Sequence, residues 1–190
     1  MIIIGTRGSA LALAQTESIR KRIIDRFPDT EITLKIIKTS ADKDLTSSIR
    51  SGSSVGVFVK ELEQELLTKE IDIAVHSMKD MPTKIPAGLQ IAAIPEREDA
   101  RDAFVAKKVR DLAELPAGSV IGTGSVRRQA QILAFRPDLK VKDLRGNIDT
   151  RLKKLQDASY NAIILACAGL NRLGYQNRIT VPLSFKQMLP

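Results

Sequence analysis

The chain has 190 residues, 43% hydrophobic and 27% charged, which suits one large or two small globular domains and argues against disorder. Its net charge of +8 calls for an anionic partner; because cations and acids are interspersed, Trp is absent and aromatics are 4%, a nucleic-acid stacking platform is not expected. A single cysteine, Cys167, and a single histidine, His76, exclude an intramolecular disulfide, a Cys-based zinc site and any metal site built on several histidines.

In chain order, Ile2-Ile3-Ile4 reads as a strand that leads into Gly5-Thr6-Arg7-Gly8-Ser9. Ala12, Ile19, Ile23 and Phe27 then recur at helical spacing, with Ser9 as the N-cap and Pro28-Asp29 as the stop. Ile32 to Ile37 is the next strand, giving a βαβ start. Ala41 to Ser54 is polar, with a Ser/Gly cluster, and reads as a mobile loop. A helix is expected from about Val57 to Thr68, then a buried strand at Ile71–Val75, a turn at Pro82 and a strand at Leu89–Ile94.

Glu96 to Asp102 is a dense charge cluster without apolar periodicity and reads as the crossing between two domains, 1–95 and 96–190. Beyond it the pattern restarts. Strands are expected at Ala103–Val105, Val120–Gly122, Leu139–Val141 and Ala162–Ala166, with helices opening at Thr123–Arg128, Asp149 and near Leu170. Ile4-Gly5-Thr6 and Ile121-Gly122-Thr123 echo each other, each closing a strand before a helix N-terminus where an anion can approach free backbone N–H groups. No apolar run is long enough to span a bilayer, and Met1 to Ile4 enters a strand without a charged leader, so neither a membrane partner nor a targeting peptide is expected and the cytosol is the expected compartment.

Four cationic clusters follow strands: Arg7; Lys79; Arg127 with Arg128; and Arg145 with Arg151. In open α/β sheets the crevice at the strand C-termini is the ligand site, and an arginine fork there suits carboxylate or phosphate. Ser9, Thr123 and Ser125 add donors. Asp80 is the one carboxylate placed among these cations; it either serves the ligand or is a turn aspartate paired with Lys79. His76 fits a hydrogen-bonded core histidine better than a catalytic one, and Cys167 fits a buried inert thiol. Dinucleotide and Walker A glycine motifs do not occur.

The segments Gly5 to Gln15, Phe58 to Glu63, Asp72 to Pro82, Gly122 to Gln129, Leu144 to Asn147 and Ala168 to Gly174 closely resemble the porphobilinogen deaminase (hydroxymethylbilane synthase) family over essentially the whole chain. The resemblance implies two periplasmic-binding-protein-like α/β domains with mixed sheets flanking a cleft. It implies a cytoplasmic, monomeric transferase of haem and tetrapyrrole biosynthesis. That enzyme joins four porphobilinogen molecules head to tail, with release of ammonia, on a dipyrromethane cofactor.

Carried over by motif position, Arg7, Ser9, Lys79, Thr123, Ser125, Arg127, Arg128, Arg145, Arg151 and Arg172 would bind cofactor or substrate carboxylates. Asp80 would be the catalytic acid and Phe58 would pack beside the incoming pyrrole; no metal is implied. Ser53-Ser54-Val55-Gly56 stands where the family usually carries a loop lysine. The family also continues past Met188-Leu189-Pro190 into a returning segment of the first domain and a third domain, whose cysteine holds the cofactor; Cys167 does not match that position. The expectation is therefore a fragment that retains the ligand residues, lacks the tether and is inactive or impaired alone. The rival reading is a non-catalytic anion-binding two-domain module, against which Asp80 discriminates.

Overall fold

A computed structural model describes residues 1–39, 59–157 and 159–190. The polar loop from Ala41 to Ser54, the Ser53–Gly56 stretch and Phe58 lie outside the described residues. The chain divides into two units, Met1–Pro95 and Glu96–Pro190.

In the first unit β1 (Ile2–Thr6) lies between β2 (Ile32–Ile36) and β3 (Ile73–Ala74), parallel to both, with Ile4 opposite Leu34 on one side and Ile73 on the other. Strand-forming isoleucines occupy this centre, and Ile4 is fully buried. Helix α1 (Ala10–Arg26) starts on Ser9, whose hydroxyl accepts the Ala12 N–H at 3.3 Å, and ends at Phe27 before Pro28. Helix α2 (Lys60–Leu67) carries Glu61 and Glu63 in its first turn, where carboxylates suit the positive dipole end. Leu62 packs from α2 onto Ile37 and Ile71, with Ile3, Leu66 and Ala74 around them. Gly5 leaves room for this packing: a Cβ there would stand 2.3 Å from Ile71 Cδ1 and would force that side chain to move.

Two expectations need correction in this unit. The strand read over Ile71–Val75 pairs only at Ile73 and Ala74, and the Asp72 carboxylate takes the Ile3 N–H at 2.8 Å just before the ladder. Leu89–Ile94 forms no ladder among the described residues, and Ile91 and Ile94 are exposed. Apolar alternation alone does not make a strand; a hydrogen-bonding neighbour does.

The second unit is a mixed sheet of order β6-β5-β7-β4-β8, built from β4 (Asp102–Ala106), β5 (Val120–Gly122), β6 (Lys140–Lys142), β7 (Ala162–Ala166) and β8 (Val181–Pro182). β5 runs parallel to β6 and β7, whereas β4 runs antiparallel to β7 and β8. The continuous apolar runs in β4 and β7 reflect burial on both faces. Phe104 and Ile164 join Leu112, Ile121, Ile132 and Leu183 on one side, while Val105, Ile163 and Leu165 join Leu144, Leu152 and Leu170 on the other. Helices α3 (Val126–Phe135), α4 (Ile148–Gln156) and α5 (Cys167–Arg172) supply those layers. The charge cluster ends differently from its reading as an inter-domain crossing, since Asp102 is 3% exposed and is the first residue of β4. β8 was not anticipated: two residues, one a proline, leave no periodicity, and its position at the sheet edge tolerates that proline.

Candidate functional site

Parallel strands end where their following helices begin, so in each unit the turns after the strands gather at one sheet edge. In the second unit that edge carries most of the predicted ligand residues. Buried Thr123 follows β5, and its hydroxyl accepts the Ser125 N–H at 3.2 Å. Ser125 then caps α3 by accepting the Arg128 N–H at 3.4 Å, which places Arg127 and Arg128 in the first helical turn. Between them Gly124 lets the neighbouring turn approach: a Cβ there would meet the Leu144 carbonyl oxygen at 3.1 Å and Asp143 Oδ1 at 3.3 Å.

That neighbouring turn follows β6. Asp143 Oδ2 accepts from Arg145 Nε at 2.7 Å, and the Asp143 carbonyl is held by the Tyr160 hydroxyl at 2.8 Å. Gly146, at φ +108°, lets the chain turn into the Asn147 cap of α4, whose side chain accepts the Thr150 N–H at 2.9 Å. Arg151, one turn into α4, folds back to donate from Nε to the Gly146 carbonyl at 2.7 Å. Burial and then the like charge of Arg128 push the Arg151 guanidinium below its ordinary pKa, against the opposing pull of Asp143.

Because β4 runs antiparallel, its first residue rather than its last reaches this edge, with Asp102 opposite Ala166. The buried Asp102 carboxylate takes Arg128 Nε and Nη2 on Oδ1, at 3.0 and 2.6 Å, and Arg127 Nη2 on Oδ2 at 2.8 Å. Removing one partner of such a buried pair costs about 3–5 kcal/mol. Among the described residues two carboxylates, Asp102 and Asp143, thus stand among four guanidiniums. Sequence reasoning missed both acids. The available signal was an aspartate directly abutting an apolar strand and another two residues before Arg145. Arg172 lies apart from these four, exposed in the last turn of α5 beside Glu98. The Glu98 carboxyl is held below its usual range by the Asp99 N–H, then by Asn171 and by Arg172.

The first unit gathers the remaining candidates. Arg7 follows β1, Ser9 caps α1, and the stretch after β3 runs through His76 and Ser77 into a 3-10 turn, Met78–Asp80, closed by the Asp80 N–H on the Ser77 carbonyl at 2.9 Å. The Gln15 amide donates to the Ser77 hydroxyl at 2.9 Å, which ties α1 to this turn. His76 is held below its ordinary pKa mainly by burial; Asp80 raises it and Arg7 lowers it, so the three side chains share one field. Lys79 is exposed and Asp80 half-buried. Cys167 is fully buried, and burial pushes its thiol up to about 11. Among the described residues no three His, Cys, Asp or Glu side chains converge as a metal site, and no helix is long and apolar enough to cross a membrane.

A parallel-sheet and a mixed-sheet α/β unit, with the predicted ligand residues at their strand ends, have the periplasmic-binding-protein-like fold. The methionine-binding protein MetQ shares it, at a TM-score of 0.51 and 13% identity over 96% of this chain and 78% of that one, a likeness of fold alone. A family model described as "Porphobilinogen deaminase, dipyromethane cofactor binding domain" matches residues 2–190. The chain is 51% identical over 190 residues to the porphobilinogen deaminase of Thermus thermophilus and 46% identical over 190 residues to that of Syntrophobacter fumaroxidans. Both alignments take in 100% of this chain and 62% of the relative, so the chain spans about 62% of the length of these relatives. The chain belongs to the porphobilinogen deaminase family.

Proposed function

We propose that this chain holds the growing pyrrole chain of a porphobilinogen deaminase, a transferase that condenses four porphobilinogen molecules head to tail with loss of ammonia in tetrapyrrole biosynthesis. The observation that carries this reading is the cluster of Arg127, Arg128, Arg145 and Arg151 at one sheet edge, with guanidiniums outnumbering carboxylates among the described residues. A dipyrromethane cofactor suits that charge, because each pyrrole carries an acetate and a propionate. When bound, it supplies the primer to which further pyrroles are added.

In this reading Thr123, Ser125, Arg127, Arg128, Arg145, Arg151 and Arg172 hold carboxylates in the second unit, and Arg7, Ser9 and Lys79 do so in the first. Phe58 packs beside the incoming pyrrole. Asp80 accepts a pyrrole N–H and offsets the positive charge that develops on porphobilinogen as its C–N bond breaks and ammonia leaves. Nothing in this scheme uses Cys167, whose burial and raised thiol pKa make it a poor nucleophile for attaching a cofactor. The partner is a small molecule rather than nucleic acid or a membrane, and the chain acts as a cytosolic monomer.

The test is calorimetric titration of the chain with porphobilinogen. Saturable binding is expected, weakening as added salt shortens the Debye length from about 30 Å at 0.01 M to about 8 Å at 0.15 M. Arg151→Met should weaken it by roughly tenfold or more, the range of one charge-assisted hydrogen bond. Absence of saturable binding, or binding indifferent to Arg151, overturns the reading.

A further inference from the structure

We propose that Asp102 is a positioning residue: its buried carboxylate fixes Arg128 as an internal strut and thereby presents Arg127 to the carboxylates of the ligand. This inference rests on the functional reading above and deepens it.

The backbone beneath Asp102 is held on both sides. It pairs with β7 at Ala166, and its carbonyl accepts the Leu183 N–H at 2.8 Å. The carboxylate therefore projects from a fixed origin. Arg127 and Arg128 are consecutive in a helix, and consecutive helical side chains do not face each other. They nevertheless converge on one carboxylate, each on its own oxygen. That convergence requires an acceptor beneath the first turn of α3, which is where the antiparallel direction of β4 places Asp102.

The two arginines then differ in what they have left. Arg128 is 9% exposed and spends Nε and Nη2 on Asp102 and Nη1 on the Ile164 carbonyl at 3.2 Å, so three of its five N–H donors point inward. The Arg127 side chain is 37% exposed; it spends Nη2 on Asp102 and Nη1 on the Leu189 carbonyl, and it keeps Nε for a ligand. The pair is thus a strut and a presenting group, and the division is set by Asp102.

Charge alone and positioning predict opposite signs for one substitution. Asp102→Asn removes a negative charge from an anion-binding edge, so Coulomb attraction alone would tighten binding. Positioning predicts that binding weakens about tenfold, because Arg127 loses its orientation. The experiment is titration of wild type and Asp102→Asn with porphobilinogen at fixed salt, together with NMR of the arginine Nε–H signals in the free chains. The expected result is weaker binding and a motionally averaged Arg127 Nε–H in the variant. A folded Asp102→Asn chain that binds as tightly as wild type, or more tightly, overturns the proposal. If that variant does not fold, the double variant Asp102→Asn with Arg128→Met leaves no unpaired buried charge, and its NMR spectrum decides the question: a motionally averaged Arg127 Nε–H supports positioning, and one as ordered as in wild type overturns it. If wild type itself does not bind porphobilinogen, the functional reading fails separately. The NMR arm then decides alone, and an Arg127 Nε–H as ordered in Asp102→Asn as in wild type removes the role assigned to Asp102.

Discussion

His76 is the only histidine in the chain, so one imidazole signal reports the field around the turn that ends in Asp80. Burial holds it below its ordinary 6.5, Asp80 pulls it up and Arg7 pushes it down. An NMR titration should therefore give a midpoint below 6.5. Asp80→Asn should lower that midpoint further and Arg7→Gln should raise it; no response to either change would mean the three groups do not share a field. The linkage follows from the depressed folded value. The contribution to stability is complete above the unfolded midpoint and is lost as pH falls through the folded one, so stability rises with pH between the two. At this scale the sequence shows which cationic residues stand at strand ends, and it does not show how they are held. Arg127 and Arg128 were readable from a strand-end position, but their carboxylate lies 25 and 26 residues earlier and no local pattern connects them.

The helix caps join local folding to the site. Ser125 both satisfies the Arg128 N–H and stands among the proposed ligand donors. Ser125→Ala should cost about 1 kcal/mol in urea denaturation. Ser125→Asp should retain that stability, since aspartate caps equally well, yet weaken the proposed porphobilinogen binding by placing a negative charge at the proposed anion site. A loss of stability in both variants would show that the hydroxyl serves more than the cap. Elements of this kind were the most legible part of the fold. β5 and β7 were readable to the residue, because apolar runs between turn signals leave few alternatives. Leu89–Ile94 carries a similar run and forms no ladder among the described residues, because pairing depends on a neighbour that periodicity does not encode.

For the whole molecule, the two units carry different amounts of described core. The second has apolar layers on both faces of five strands, whereas the first centres on Ile37, Leu62 and Ile71, and its β3 contributes only two paired residues. Hydrogen exchange should accordingly be slowest at Phe104, Ile163 and Ile164 and faster along β1 and β3. Uniform protection across the two sheets would show that the units open together.

The stretch after β8 has a different kind of anchorage. The Gln131 side chain grips the Leu189 peptide in a reciprocal pair, Nε2 to the carbonyl at 3.0 Å and the Leu189 N–H to Oε1 at 2.7 Å, and Arg127 adds a third bond. Mechanically, a side-chain amide here does the work of a neighbouring strand. A pulling force applied at Pro190 would load α3 through Gln131 and Arg127 before it loaded any strand of the sheet. The first rupture would therefore release Arg127 from one of its restraints, so the proposed grip on an anion would slacken under tension while the sheet was still intact.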